Sequence, residues 1–329
     1  MTGSRSRVNV VFTRDAEASL QTVPRSLCAS GSALGVVSGE LRRALFLCDK
    51  AGMILRALAL LVVTLFVAPA MARPERVVSI NLCADQLLVA LADPGQIAAL
   101  SPLARDKKLS FVARAATSFP THRGTAEDLI RAKADLILVG PYDNRYLKSF
   151  IAEKGVPVLT LGHWTSLDQG RAEIRKLAAA LGTPERGAEL IDAIDRALAH
   201  NRAIAPTNTS AVMLHRRGYI SGSDGISAEV AASIGLKDAA PTLGLPQGGF
   251  VPLEQLIANK PDFIVISDAR AKAEDQGTAL LQHPAIAALY PAQKRIVLPD
   301  RLTICGGPAT PELIARFGAE VHAKTGSKN

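Results

Sequence analysis

The sequence predicts an α/β protein of two lobes, each a parallel sheet covered by helices, joined by one long backbone helix. Three observations carry this expectation. A block in the first half returns in the second at one constant offset. Short apolar runs alternate with helical patterns on both sides. Between the halves lies an unbroken helical pattern rather than a Gly/Ser-rich linker.

Taken in order, residues 1–52 show little steady periodicity and are read as a disordered or over-extended N-terminal stretch, with Met53 the expected start. Residues 53–72 read as a secretory signal. Met53-Ile54-Leu55-Arg56 is a short basic start. The apolar run 57–68 is shorter than the ~18 residues of a spanning helix, and Ala70-Met71-Ala72 is an A-x-A site, so cleavage is expected after Ala72. The rival is a membrane-anchored protein with a cytoplasmic tail. In the first lobe, 73–182, the runs 76–80, 97–100, 135–139 and 157–161 read as strands. Helical patterns follow at 166–181 and 184–204, broken by Gly182-Thr183-Pro184. Thr183 is the expected N-cap, with Pro184 at the first helical position. The linking helix, 183–205, should be about 30 Å long at ~1.5 Å per residue. In the second lobe, 206–329, strands are expected at 211–214, 262–266 and 295–298. The repeat ties the lobes together: EDLIRAKADLILV at 127–139 returns as EQLIANKPDFIVI at 254–266. Glu, Leu, Ile, Lys, Asp and Ile match at an offset of 127. Each copy reads as a short helix ending at Lys, a turn with Asp, and a buried parallel strand.

Composition narrows the function. The 329 residues carry 38 Lys and Arg against 30 Asp and Glu. Residues 1–72 hold 8 of the basic and 4 of the acidic residues, so half of the net +8 belongs to the prefix, and the 257 residues beyond it are only mildly basic. No dense basic stripe argues for nucleic acid. There is no G-x-G-x-x-G after the first strand, no P-loop, no G-x-S-x-G, C-x-x-C or H-E-x-x-H, and the six histidines are scattered, so neither an enzyme nor a preformed metal site is expected. Cys28 and Cys48 leave with the prefix. Cys83 and Cys305 remain, with three roles open to them: a disulfide, thiol ligands or two unrelated small apolar residues.

The first strand and its loop, Arg76-Val77-Val78-Ser79-Ile80-Asn81, the blocks 127–135 and 254–262, and the helix 184–204 together resemble the substrate-binding proteins of bacterial ABC importers for ferric siderophores, haem and cobalamin. The resemblance covers roughly residues 76–323 and implies the helical-backbone, class III fold. It also implies a periplasmic monomer without intrinsic cofactor, whose partners are a membrane permease with its ATPase. In that family a surface glutamate on each lobe docks onto arginine pockets of the permease, and the matching positions are Glu127 and Glu254. The helix dipole favours a carboxylate in a first turn for its own reasons, so either glutamate alone needs no docking role.

Ligands in such a fold lie between the lobes at the carboxyl ends of the strands. Those ends give Asn81, Cys83 and Asp85, then Arg105, then Tyr142 and Arg145, then His163 and Trp164. The second lobe offers Tyr219, Gly248 and Phe250, Asp268 and Arg270, then Arg301 and Cys305. Arg105 and Arg145 have a solvated or salt-bridged alternative, Gly248 a plain turn role, and His122 a capping or surface role. Arginines suit an anionic ferric siderophore or haem, which is the expected ligand, with a corrinoid second. A direct metal-ion binder using His122, His163 and Asp268 is the third reading.

Overall fold

The computed structural model describes residues 73–267 and 282–326. The expected N-terminal stretch and signal, 1–72, and the cleft candidates Asp268 and Arg270 lie outside the described residues.

The first lobe runs β1 (Val77–Ser79), α1 (Leu82–Leu91), β2 (Ile97–Ala99), α2 (Ala126–Arg131), β3 (Leu136–Val139), α3 (Arg145–Glu153) and β4 (Val158–Thr160). Two helices follow, α4 (Leu167–Leu181) and α5 (Pro184–His200). The second lobe supplies β5 (Ser210–Met213), β6 (Tyr219–Ile220), α6 (Ile226–Ser233), β7 (Lys237–Asp238), β8 (Gly249–Phe250), α7 (Leu253–Asn259) and β9 (Phe263–Ser267). It continues with α8 (Pro284–Leu289), β10 (Arg295–Leu298), α9 (Asp300–Thr303) and α10 (Thr310–Thr325). Among the described residues no helix is long and apolar enough to cross a membrane.

The two four-stranded sheets are parallel, in the orders β2-β1-β3-β4 and β7-β5-β9-β10. The two orders superpose, β1 on β5 and β3 on β9, so the sequence repeat is a repeat of structure. Its lysines stop the helices in the left-handed region, Lys133 at φ 49° and Lys260 at φ 44°. Its aspartates then clamp the neighbouring strand. Asp135 accepts from the backbone N–H of Glu75 (2.7 Å) and Arg76 (3.0 Å) ahead of β1. Asp262 accepts from the N–H and the hydroxyl of Ser210, both at 2.8 Å, at the start of β5.

Every residue of β3 and β9 is buried, as a parallel strand covered on both faces requires. The period of two assigns the faces. Val77, Leu136, Leu138, Phe263 and Val265 join α4, α5 and α10 in one core shared by the lobes. Val78, Ile137 and Val139 face a core of the first lobe alone, and Val212, Ile264 and Ile266 one of the second.

The linking helix begins where expected but ends early. It stops at His200 rather than Ile204, giving 17 residues and a length of about 25 Å. Ala203, at φ 52°, cannot continue it. Pro184 holds the first helical position, but the Thr183 side chain makes no capping bond, and its hydroxyl is buried without a partner. Elsewhere the caps are supplied by Asn81 for α1, Thr125 for α2, Asn144 for α3 and Ser166 for α4.

Candidate functional site

A cleft of about 300 Å³ opens between the lobes at the carboxyl ends of the strands. Asn81 and Cys83 enter it behind β1, Tyr142 and Asp143 behind β3, and His163 and Trp164 behind β4. Met213 ends β5, while Ser221 and Asp224 stand on the far wall, with Ile304 and Cys305 beyond β10 and α9.

The floor is covalent. Cys83 and Cys305 form a disulfide, with Cα atoms 5.3 Å apart and a sequence separation of 222. Of the three roles open to these cysteines, the structure assigns the cross-link. Cys83 is exposed on the cleft side, and Cys305 is buried. Trp164 wedges beside this link. It lines the cleft as expected but is only 6% exposed, because it lies between two glycines. A Cβ on Gly170 of α4 would sit 2.3 Å from the indole, and one on Gly306, next to the disulfide, 2.1 Å. Only glycine permits either approach. Three further contacts join the lobes: Gly225 N–H donates to the Thr165 carbonyl (3.1 Å), Leu167 N–H donates to Glu229, and the Arg301 guanidinium lies 5.8 Å from the Phe111 ring centre.

Aromatic groups stand on the first-lobe wall and behind the second-lobe wall. Tyr142, 87% exposed, meets His163 edge-on at 6.3 Å between ring centres. On the other lobe Tyr219 and Phe250 meet edge-on at 5.4 Å across the antiparallel β6–β8 ribbon. That pair stands behind the wall rather than in it, and is joined to it through His215, whose Nε2 bonds the hydroxyl of Ser221 at 2.6 Å. Gly248, at φ 81°, serves the same ribbon: a Cβ there would come within 2.8 Å of the Gly222 nitrogen. Its close approach is to the protein backbone.

The expected arginines point elsewhere. Arg105 donates to the carbonyls of Ala116 and Phe119. Arg145 opens α3 as an exposed residue outside the cleft lining. Arg301 pairs with Glu312 at 2.8 Å. Among the described residues, no Lys or Arg lines the cleft.

Asp85 lies beneath the cleft, fully buried. It accepts from the Ser101 N–H (2.9 Å) and from the hydroxyls of Ser79 and Ser101, tying α1 to β1 and to the segment after β2. Burial outweighs these bonds and pushes its carboxyl up to about 6. His122 is also buried, contrary to a surface role. Its Nδ1 accepts from Gly124 N–H at 2.9 Å, which leaves Nε2 to donate to the Ser79 carbonyl at 2.7 Å. With both nitrogens engaged, His122 is withdrawn from the metal-ion reading, and among the described residues no group of three metal-ligating side chains converges.

Sequence reasoning passed over Asp143, Asp224 and the Ser221–Gly222 wall. Asp143 was within reach, since it adjoins Tyr142 at the end of a predicted strand. Asp224 follows a two-residue strand with no readable pattern.

The family model described as a periplasmic binding protein matches residues 77–298. No curated protein matches in sequence. Among solved structures, the periplasmic heme-binding protein RhuT from Roseiflexus sp. RS-1 is 21% identical, with a TM-score of 0.62 over 76% of this chain and 99% of that one. An ABC-type Fe3+-hydroxamate transport protein of Saccharomonospora viridis is 18% identical (TM-score 0.58, over 75% and 93%). The periplasmic vitamin B12-binding protein BtuF of Vibrio cholerae is 15% identical (TM-score 0.56, over 78% and 99%). At these identities the likeness is one of fold.

Proposed function

Because this chain belongs to the periplasmic binding protein family, we propose that it is the solute-binding component of an ABC importer, capturing a large metal chelate, an iron complex or a corrinoid, and handing it to the permease. The observation that carries this reading is the cleft itself. Two duplicated lobes meet at the carboxyl ends of their strands, and the walls offer aromatic faces, backbone and small polar groups. Such a surface binds a solute by contact and hydrogen bonding.

Glu127 and Glu254 are the proposed docking points on the permease. Each is the second residue of its helix, α2 or α7, exposed and without a salt-bridge partner among the described residues. They occupy equivalent places in superposable lobes, as a two-fold receptor would require. Export through the 53–72 signal completes the reading.

The test is a titration of the protein recovered from the periplasm with haemin, a ferric hydroxamate and cyanocobalamin, following absorption and Trp164 fluorescence. Saturable binding of at least one chelate is expected. Binding of none, beside a response to bare zinc or manganese ions, would overturn the reading.

A further inference from the structure

We propose that Asp143 and Asp224 make the cleft selective by charge, so that it takes a neutral or cationic chelate bearing N–H donors and turns away anionic ones; this rests on the chelate reading above. The two carboxylates stand on opposite walls, Asp143 in the turn after β3 and Asp224 ahead of α6. Asp143 is held in place. Its Oδ2 accepts from Asn81 Nδ2 at 2.7 Å and from Gly140 N–H at 2.6 Å. Oδ1 has no hydrogen-bond partner among the described residues, and neither has the exposed Asp224 carboxylate.

A carboxylate anchored through one oxygen presents the other as a fixed acceptor. Amide or ammonium N–H groups on a ligand match it, and a hydrogen bond to a charged acceptor is among the stronger kinds. An anionic group meets the opposite. Apart from His163, the remaining polar side chains of the lining, among them Asn81, Ser221, Ser227 and Thr303, are uncharged. Arg105 and Arg301, the cations best placed by sequence to do so, are engaged outside the cleft. At a separation of ~7 Å, each carboxylate disfavours an anionic group by roughly three- to tenfold at the effective dielectric of a partly open cleft.

The experiment compares four probes on the protein recovered from the periplasm: haemin and a ferric tricatecholate, both anionic, against neutral cyanocobalamin and the cationic ferric hydroxamate ferrioxamine B. Affinities are measured for the wild type and for the double variant Asp143→Asn/Asp224→Asn. Asparagine keeps an acceptor oxygen for Asn81 and Gly140, and an unchanged melting temperature will show that the fold is intact. A neutral or cationic probe should bind tightest to the wild type. The double variant should lose about tenfold for that probe and gain about tenfold for the anionic ones, the gain shrinking as salt screens the charges. An anionic probe that binds the wild type tightest, or affinities that the double variant leaves unchanged, would overturn the charge selection while leaving the chelate reading standing. Binding of no probe by a folded protein would overturn both.

Discussion

Removing the Cys83–Cys305 bond should loosen the whole two-lobe body, and the size of the effect follows from the chain it closes. The cross-link spans 222 residues. In the chain-entropy account a loop of that length restricts the unfolded ensemble by about 5 kcal/mol, and loss of a native disulfide usually costs 2–5 kcal/mol. Other ties persist: the Trp164 wedge, the Arg301–Phe111 contact and the Glu229 bond to Leu167 still join the lobes, and α5 still links them. These act in the folded state, whereas the disulfide acts mainly on the unfolded one, so they do not cancel the loss.

The double variant Cys83→Ser/Cys305→Ser, and the wild type held in a thiol-free reductant, should both lose roughly 3–5 kcal/mol in urea melts. Their melting temperature should fall by on the order of 10 °C. Because Cys83 faces the cleft and Cys305 is buried, reductant must arrive through the cleft. A bound ligand should therefore slow reduction of the wild type. Oxidised and reduced protein melting together, or two free thiols titrating in the protein as isolated, would refute the reasoning.

The Asp85 carboxyl keeps its proton up to about 6 when folded, whereas its ordinary value is 3.8. Between those values the folded state binds more protons, so stability should fall as pH rises from about 4 to about 6, by up to about 3 kcal/mol. Asp85→Asn should remove that slope from paired melts at pH 4 and 7, and an unchanged slope would assign it to other groups. Gly306→Ala should drive Trp164 out of its slot, costing about 1–3 kcal/mol and red-shifting its emission; an unshifted spectrum would show that the slot can give way. Glu127→Ala/Glu254→Ala should abolish uptake by cells while ligand affinity in vitro stays within twofold of wild type, and normal uptake would end the docking proposal.

What the sequence disclosed of this fold was what repeats. Strands β1, β2, β3, β4, β5, β9 and β10 lie within a residue of the runs that predict them, because a buried parallel strand must be apolar on both faces. The 127-residue offset disclosed the duplication, since the Lys and Asp of each block serve the same turn and the same clamp on the next strand. The strands β6, β7 and β8 escaped notice. Each has two residues, too few for a period, and with β6 and β8 went the wall that carries Ser221 and Asp224. The arginines misled for a different reason. Position at a strand end brings a residue near the cleft, but a long side chain can turn back, and Arg105 turns back to cap carbonyls of its own loop. Short side chains such as Cys83 and Asp143 have no such freedom, so their placement follows the backbone.

The ties between the lobes bear on how the cleft works. The disulfide, the Trp164 wedge and the Gly225–Thr165 hydrogen bond all join the lobes at residues that line the cleft or adjoin its lining. A wide hinge opening about α5 would have to stretch a covalent bond and empty the slot beside Gly306. The walls are therefore held near one separation before any ligand arrives, and less of the binding free energy goes into closing them. In such a preformed cleft, selectivity must reside in groups already fixed on the walls. The anchored carboxylate of Asp143 is one of these, and the Tyr142 ring at the mouth is free to adjust to what enters.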